Sequence, residues 1–352
     1  VFLPGQEDVW KAVTAMEAVL VQEFPSERVQ CLPLFGALNS QEQDRVHKST
    51  EELNCDRKII FATNIAETSV TIKGIKFVVD SGREKVMSLD PRTGWPSLQL
   101  QPVTKSSVTQ RRGRAGRTEK GYYIPLYTNA YAFGMQDNLE PEIRRCDLTS
   151  TLLEVLCLEG KWLPNMQMID PPSEVAVRYA LETLTFLGAI DTTGATPTVT
   201  EKGRLMARLR FSSPHSAAML LRAAKPDLGV SEEVAIIAVM MEVGPLDRFS
   251  KHDHERLNNM LCSQLDESGD HITLLHLFLQ YRKEKPYAKE RWCKHLGIDP
   301  RKMQAVEKLF SRTMKAMQKN NIPILSCPKS VKYVPLLPHP PPPTNNHLYL
   351  FC

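Results

Sequence analysis

A cluster of arginine residues at positions 110–117 constrains the fold of this chain more than any other feature. Four arginines and two glycines fall within the string Q-R-R-G-R-A-G-R. Guanidinium groups bind phosphate oxygens through paired, charge-assisted hydrogen bonds, and glycine lets neighbouring backbone approach closely. The cluster therefore predicts a polyphosphate site, with a nuclear-import signal or a nonspecific RNA patch as the alternative. Ser106 or Ser107 is predicted to cap a short helix that carries residues 110–114.

Strand and helix patterns alternate ahead of this cluster. Apolar runs predict short strands at residues 1–3, 29–34, 59–62 and 77–80. Helices are predicted to begin at Gly5 and at Asn39 or Ser40. Because this alternation is typical of a parallel α/β sheet, we expect ligands at the C-terminal ends of the strands.

Three strings of residues resemble a known family. The string A-T-N-I-A-E-T-S at residues 62–69 is similar to motif V of the DEAH-box ATP-dependent RNA helicases, and residues 110–117 are similar to motif VI. F-L-P-G-Q-E-D at residues 2–8 resembles the same part of these helicases, their second RecA-like domain. The resemblance continues to about residue 330.

The resemblance implies a fold in two parts. These are a partial α/β RecA-like parallel sheet and a mainly α region with a winged helix and a helical bundle. The expected divisions are a second RecA-like domain truncated at its N-terminus (1–128), a winged helix (129–213), a helical ratchet-like domain (214–334) and a proline-rich tail (335–352). Proline favours an extended conformation, so the tail is expected to be disordered.

Residues 83–102 interrupt the alternating pattern. A turn cluster at residues 90–94 lies between two extended runs and predicts a β-hairpin. In the resembled family a hairpin at this position separates the strands of a duplex. A surface hairpin without a substrate role is an equally good interpretation of the sequence.

Motif VI supplies the candidate catalytic residues. The resemblance implies that Arg114 and Arg117 act as arginine fingers and that Gln110 orients the attacking water or touches the γ-phosphate. Arg111 is expected to form ion pairs inside the domain. Arg112 departs from the family, which has a small residue there, and it faces either RNA or solvent.

Motif V and its surroundings supply candidate contacts to RNA and nucleotide. By resemblance, Thr63 and Asn64 contact the RNA backbone, and Asn39 is assigned to RNA as well. Candidate nucleotide-binding residues are Ser69, Thr71, Lys73 and Gly113. Lys73 replaces the usual aspartate, so a hydrogen bond to the ribose is lost. His47 aligns with a position that stacks on the base, with a surface histidine as the alternative.

Charge is distributed unevenly along the chain. The net charge is only +4, yet residues 281–334 contain 14 lysine or arginine residues against 4 acidic ones. This imbalance predicts a polyanion site towards the C-terminus. The eight cysteines form no C-x-x-C pair, which favours a reducing intracellular compartment, the nucleus or the cytoplasm. No apolar run is long enough to predict a membrane span.

The chain contains neither G-x-x-x-x-G-K-[ST] nor D-E-A-H. We therefore expect ATP to bind with Mg²⁺ whose ligands lie on a preceding first RecA-like domain, and we expect the chain alone to be inactive. His252 and His254 form a weak metal pattern without a partner at ligand spacing, so no metal site is predicted.

The leading hypothesis is an ATP-dependent RNA helicase that moves 3′-to-5′ along RNA. The resemblance implies RNA and ATP as partners, with protein activators at the winged-helix and ratchet region. A truncated, non-catalytic module that binds RNA or protein is the alternative.

Overall fold

The computed structural model describes residues 1–36, 38, 40–68, 72–89, 96–116, 120–159, 166–194, 196–246, 266 and 268–327. Two compact units divide the chain, Val1–Cys146 and Asp147–Cys352. Within the first unit, Lys105 pairs with Asp137 at 2.8 Å and Arg145 donates to the Met87 carbonyl at 3.2 Å. The expected domain divisions at residues 128, 213 and 334 stay predictions. The two histidines of the weak metal pattern and the proline-rich tail lie outside the described residues.

The first unit contains six helices and six strands among its described residues. The helices are α1 (Gln6–Glu23), α2 (Ser40–His47), α3 (Ile65–Thr68), α4 (Lys105–Arg112), α5 (Asn129–Phe133) and α6 (Glu142–Arg145). The strands are β1 (Val29–Leu34), β2 (Arg57–Ala62), β3 (Phe77–Asp80), β4 (Arg83–Leu89), β5 (Pro96–Pro102) and β6 (Tyr122–Pro125).

The central sheet is parallel. Strand β1 pairs with β2, and β3 pairs with β6. Phe2 joins the two pairs, since it forms parallel bridges to both Ala62 and Asp80. The strand predicted at residues 1–3 therefore lies in the middle of the sheet, between β2 and β3.

Helices cover both faces of this sheet. The apolar cluster on the α2 side contains Leu32, Leu34, Val46, Ile60, Ala62, Ala66 and Val78. The cluster on the α1 side contains Val9, Val13, Phe35, Leu38 and Phe61. Successive side chains of a strand point to opposite faces, so β2 contributes Ile60 and Ala62 to one cluster and Phe61 to the other.

Strands β4 and β5 pair antiparallel across the predicted hairpin, with Arg83 opposite Pro102 and Leu89 opposite Pro96. The turn predicted at residues 90–94 lies outside the described residues. Glu84 and Val86 of β4 are buried, whereas Met87 and Leu98 are exposed. The hairpin thus has one side packed on the first unit and one side that includes exposed apolar residues.

The second unit is mainly helical. Its described helices are α7 (Thr149–Glu159), α8 (Glu174–Phe186), α9 (Glu201–Leu209), α10 (Pro214–Ala223), α11 (Ser231–Val243), α12 (Asp270–Lys283), α13 (Lys289–His295) and α14 (Pro300–Lys319). Two short strands, β7 (Ile190–Asp191) and β8 (Thr198–Val199), pair antiparallel between α8 and α9. Strands β7 and β8 lie within the region expected to be a winged helix, residues 129–213.

Gly203 determines how closely α9 approaches β7. A Cβ atom at this position would lie 2.0 Å from the carbonyl oxygen of Ala189. Thr200 caps the same helix, since its hydroxyl accepts a hydrogen bond from the Gly203 amide at 3.0 Å. A glycine and a cap together therefore fix the start of α9 on the small sheet.

Helix α14 presents a buried apolar stripe to the unit. Met303, Val306, Phe310 and Met317 are buried. Asp299 caps the helix by accepting from the Arg301 amide at 2.8 Å. In the part of the chain that the structure describes, no helix is both long enough and apolar enough to cross a membrane.

Candidate functional site

Helix α4 carries most of motif VI, and Thr104 caps it. The Thr104 side chain accepts a hydrogen bond from the Ser107 amide at 3.1 Å. The prediction that Ser106 or Ser107 forms the cap was wrong, because the extended residue that precedes the helix is Thr104 and both serines lie in its first turn. The helix ends at Arg112, and Gly113 is its C-cap.

Arg111 is the buried centre of an ion-pair cluster. Its side chain has no exposed surface. Its Nε lies 2.6 Å from Glu67 Oε1, its Nη1 lies 2.8 Å from Asp80 Oδ1, and its Nη2 lies 3.8 Å from Glu84 Oε2. Burial opposes the charge, but Asp80 and Glu67 outweigh it and raise the pKa of Arg111. The ion pairs predicted inside the domain are therefore present.

Asp80 extends the cluster towards strand β6. Its Oδ2 accepts a hydrogen bond from the Tyr123 hydroxyl at 2.7 Å, and that hydroxyl lies 2.7 Å from the Tyr127 hydroxyl. Burial, and then the hydrogen bonds to Tyr127 and Asp80, raise the pKa of Tyr123. Tyr123 therefore stays protonated, and its hydroxyl donates a hydrogen bond to the carboxylate.

Glu84 brings the base of the hairpin into the cluster. Burial, followed by the charge of Glu67, raises the pKa of Glu84, and Arg111 offsets only part of this effect. Glu84 Oε1 has no hydrogen-bond partner within the described residues. Three carboxyl groups thus share one central guanidinium, and Glu84 is the one that lies farthest from it, at 3.8 Å.

Arg114 lies in the turn after α4 and contacts motif V. Its Nη2 donates to the backbone carbonyl of Glu67. Glu67 belongs to α3, which begins directly after Thr63 and Asn64. The Glu67 amide donates to the Asn64 carbonyl at 2.9 Å. The structure therefore brings the candidate finger Arg114 next to the segment that carries two candidate RNA contacts.

The other site residues predicted from the sequence are either exposed or lie outside the described residues. Gln110, Arg112, Gly113, Lys73 and His47 are all exposed. Asn39, Ser69, Thr71 and Arg117 lie outside the described residues. Their roles in binding nucleotide or RNA stay predictions. Within the described residues, no group of three or more His, Cys, Asp or Glu side chains is arranged to hold a metal ion.

Sequence reasoning did not single out Glu67, Asp80, Glu84 or Tyr123. Asp80 carried a usable signal, since an acidic residue that ends the apolar strand F-V-V-D needs a partner when it is buried. Glu67 stood within motif V without an assigned role. Glu84 and Tyr123 offered no comparable signal in the sequence.

A second candidate surface lies on α14. A concave region of about 600 Å³ is lined by Glu307, Lys308, Ser311, Arg312 and Lys315. Glu307 is engaged by Lys289 at 2.5 Å and by the Tyr281 hydroxyl at 3.2 Å. Lys308, Arg312 and Lys315 are not buried, so this region carries surplus positive charge.

Comparison with known proteins places the chain among helicases. Residues 1–119 match the family described as helicase conserved C-terminal domain. The chain is 35% identical over 312 residues to Probable ATP-dependent RNA helicase DHR2 of Saccharomyces cerevisiae, covering 85% of this chain and 42% of that protein. It is 31% identical over 331 residues to Pre-mRNA-splicing factor ATP-dependent RNA helicase prp22 of Schizosaccharomyces pombe. This match covers 93% of this chain and 27% of that protein.

A solved structure shares the fold. The E. coli DExH-box NTPase HrpB is 30% identical with a TM-score of 0.63, over 89% of this chain and 32% of that one. The fold and its motifs define a RecA-like helicase domain followed by a helical region, as the sequence predicted. Residues 1–119 of this chain belong to the helicase conserved C-terminal domain family, and most of the chain is similar to ATP-dependent RNA helicases of the DEAH-box type. The chain spans less than half the length of the relatives that it matches.

Proposed function

We propose that this chain supplies the second half of the ATP site, and part of the RNA channel, of a helicase that couples ATP hydrolysis to 3′-to-5′ movement and unwinding. The observation that carries the proposal is the contact between Arg114 and the Glu67 carbonyl, immediately after a helix that Arg111 anchors in the interior. This contact supports a role in which a guanidinium is held beside the RNA-contact segment and faces a nucleotide bound on another domain.

Charge neutralisation is the chemistry that these residues supply. Phosphoryl transfer depends on positioning and on stabilising negative charge at the γ-phosphoryl oxygens. Arg114 and Arg117 provide that charge, and Gln110 orients the attacking water. Mg²⁺ bound together with ATP would supply further positive charge to the phosphates, and its ligands are expected on the first RecA-like domain. The buried Arg111 keeps α4, and with it the turn that carries Arg114, in a fixed position.

RNA binds along two surfaces in this proposal. Thr63 and Asn64 contact the sugar-phosphate backbone at the C-terminal end of β2, and Asn39 lies in the segment after β1. The basic concave region of α14 binds further phosphates. Because phosphate contacts carry no base information, the chain should bind single-stranded RNA with little sequence preference.

The test replaces individual arginines in the full-length helicase. Arg114→Ala and Arg117→Ala should each lower RNA-stimulated ATP hydrolysis by roughly 10³-fold, the contribution typical of an arginine finger, while RNA affinity stays nearly constant. Arg112→Ala is the matched control, since Arg112 is an exposed arginine at the end of α4 that forms no ion pair with the described residues. Wild-type hydrolysis by Arg114→Ala would contradict the finger assignment.

A non-catalytic module that binds RNA or protein is the second candidate. The basic region of α14 favours it, because phosphate binding there needs no nucleotide. The purified 352-residue chain should bind single-stranded RNA and show no ATP hydrolysis above background under either hypothesis. The full-length protein separates them, since only the helicase hypothesis requires RNA-stimulated hydrolysis.

Location and protein partners follow from the same proposal. The name of the relative prp22 describes a pre-mRNA-splicing factor, and we propose that this chain acts in the nucleus or cytoplasm. The six described cysteines are free, which suits a reducing compartment. Exposed apolar side chains at Leu158, Ile169 and Phe186 give the helical unit surface on which protein activators can bind.

A further inference from the structure

We infer that Glu67 is a positioning residue that couples the RNA-contact segment to the arginine finger Arg114. This inference rests on the proposed function, since it assigns a residue that acts through Arg114. Glu67 itself lies in the interior, with 7% of its surface exposed, and its carboxylate is engaged by Arg111.

Glu67 contacts two arginines, one on either side of Gly113. Its carboxylate lies 2.6 Å from Arg111 Nε, and its backbone carbonyl accepts from Arg114 Nη2. The carboxylate therefore ties α3 to α4, while the carbonyl directs the guanidinium of the turn that follows α4. Glu67 of motif V thus contacts both the buried Arg111 and the candidate arginine finger Arg114 of motif VI.

The same short helix is joined directly to the RNA contacts. The Ala66 amide donates to the Thr63 carbonyl at 3.2 Å, and the Glu67 amide donates to the Asn64 carbonyl at 2.9 Å. Ala66 is buried in the apolar cluster on the α2 side of the sheet. When RNA displaces Thr63 and Asn64, the turn of α3 moves with them and carries the Glu67 carbonyl. The position of Arg114 therefore depends on whether RNA is bound.

The cluster has enough carboxyl groups for this role to be tested without unfolding the domain. Arg111 also lies 2.8 Å from Asp80 and 3.8 Å from Glu84, so Glu67→Gln leaves it two carboxyl partners. Glutamine preserves the side-chain volume, and the backbone carbonyl remains. The substitution weakens the charge-assisted contact that fixes α3 and leaves the buried guanidinium compensated.

Glu84→Gln is the matched comparison variant. It removes a carboxyl group from the same buried cluster but lies on β4, at the base of the hairpin, where its ion pair is with Arg111 at 3.8 Å. Both variants change the charge of the cluster by one. Only Glu67→Gln changes the connection between Thr63, Asn64 and Arg114.

The experiment measures kcat and KM for ATP in the full-length helicase, with and without saturating single-stranded RNA. Glu67→Gln should lower the RNA stimulation of kcat by about tenfold or more, the effect of a modest misplacement of a catalytic group. KM for ATP, RNA affinity and the melting temperature should stay close to wild type. Glu84→Gln should retain the stimulation. Adding Glu67→Gln to Arg114→Ala should cause no further loss.

Each other outcome counts against the inference. Wild-type stimulation in Glu67→Gln, or a loss confined to KM or to RNA affinity, would overturn it while leaving the finger assignment intact. An equal loss in Glu84→Gln would mean that the cluster acts only through general stability. Wild-type turnover in Arg114→Ala would overturn both the proposed function and this inference.

Discussion

The hydroxyl of Tyr123 donates a hydrogen bond to the carboxylate of Asp80 at 2.7 Å, which joins strands β6 and β3 near the C-terminal edge of the sheet. The other oxygen of the same carboxylate accepts from Arg111 and from the Gly82 amide. Asp80 therefore sets the position of α4 relative to two strands. The motif VI segment depends on this carboxylate for its placement.

We expect Tyr123→Phe to lower the free energy of unfolding by about 2 kcal/mol, because it removes a hydrogen bond to a buried carboxylate. Urea denaturation of the chain measures the change. The neighbouring Tyr122→Phe is the control. Tyr122 is exposed, its ring stacks on Phe77, and its hydroxyl bonds to no described residue. An equal effect of the two substitutions would show that the hydrogen bond to Asp80 contributes nothing.

Gly82 is required for both its backbone angle and its contact with Tyr127. Its φ is +71°, and a Cβ atom would lie 2.4 Å from Tyr127 Cδ1. Gly82→Ala should therefore destabilise the chain by about 2–4 kcal/mol, the sum of left-handed strain and overpacking.

Gly74→Ala separates these two causes. Gly74 has nearly the same φ, +74°, but a Cβ atom there would have no atom of the described residues within 4 Å. The substitution should cost only about 1 kcal/mol, the strain alone. Unfolding measurements that give equal costs for Gly74→Ala and Gly82→Ala would contradict the role of Tyr127.

Glu84 gives the stability of the chain a specific pH dependence. Its pKa is higher in the folded protein than the ordinary value of 4.5, because burial and Glu67 disfavour its charge. The folded state therefore binds the proton more tightly than the unfolded chain. The stability that this provides is complete below the unfolded pKa and is lost as the pH rises through the folded pKa.

Glu84→Gln cannot ionise at this position and so avoids the loss of stability that the wild type undergoes as Glu84 ionises. The free energy of unfolding of the variant, relative to wild type, should therefore rise between acidic and neutral pH. Urea denaturation at pH values on both sides of the transition measures the difference. Glu290→Gln is the control with the opposite sign, because the hydrogen bond from Lys294 lowers the pKa of Glu290. A stability difference for Glu84→Gln that does not change with pH would contradict the assignment.

The basic region of α14 should contribute directly to RNA binding. Reversing Lys308, Arg312 and Lys315 to glutamate should weaken single-stranded RNA binding and lower the salt slope by about 0.7 for each phosphate that the variant no longer binds. Fluorescence anisotropy over a range of salt concentrations measures both quantities.

A triple reversal elsewhere in the second unit controls for net charge. Lys283, Arg301 and Lys319 are exposed and lie outside the concave region of α14. Reversing them changes the charge by the same amount and should leave the salt slope nearly intact. Equal effects of the two triple variants would show that only the overall charge of the unit attracts RNA.

Local signals in the sequence determined much of the fold. Strand β1 occupies the predicted residues 29–34, and the caps Ser213 and Asp299 begin helices at Pro214 and Pro300. These features follow from the identity of neighbouring residues, since apolar runs, cap side chains and proline act within a few positions. The motifs, being contiguous strings, likewise sufficed to identify the family.

Only the tertiary structure decided how the motifs contact one another. Arg111 is separated by 44 positions from Glu67 and by 31 positions from Asp80. Nothing in the local sequence specifies which carboxylate a buried guanidinium meets, because that depends on how the strand ends converge. The cap at Thr104, the hydrogen bond from Tyr123 and the double contact of Glu67 arise in the same way. Burial makes each of these contacts obligatory, since a charged or polar group removed from water must find its partner inside the fold.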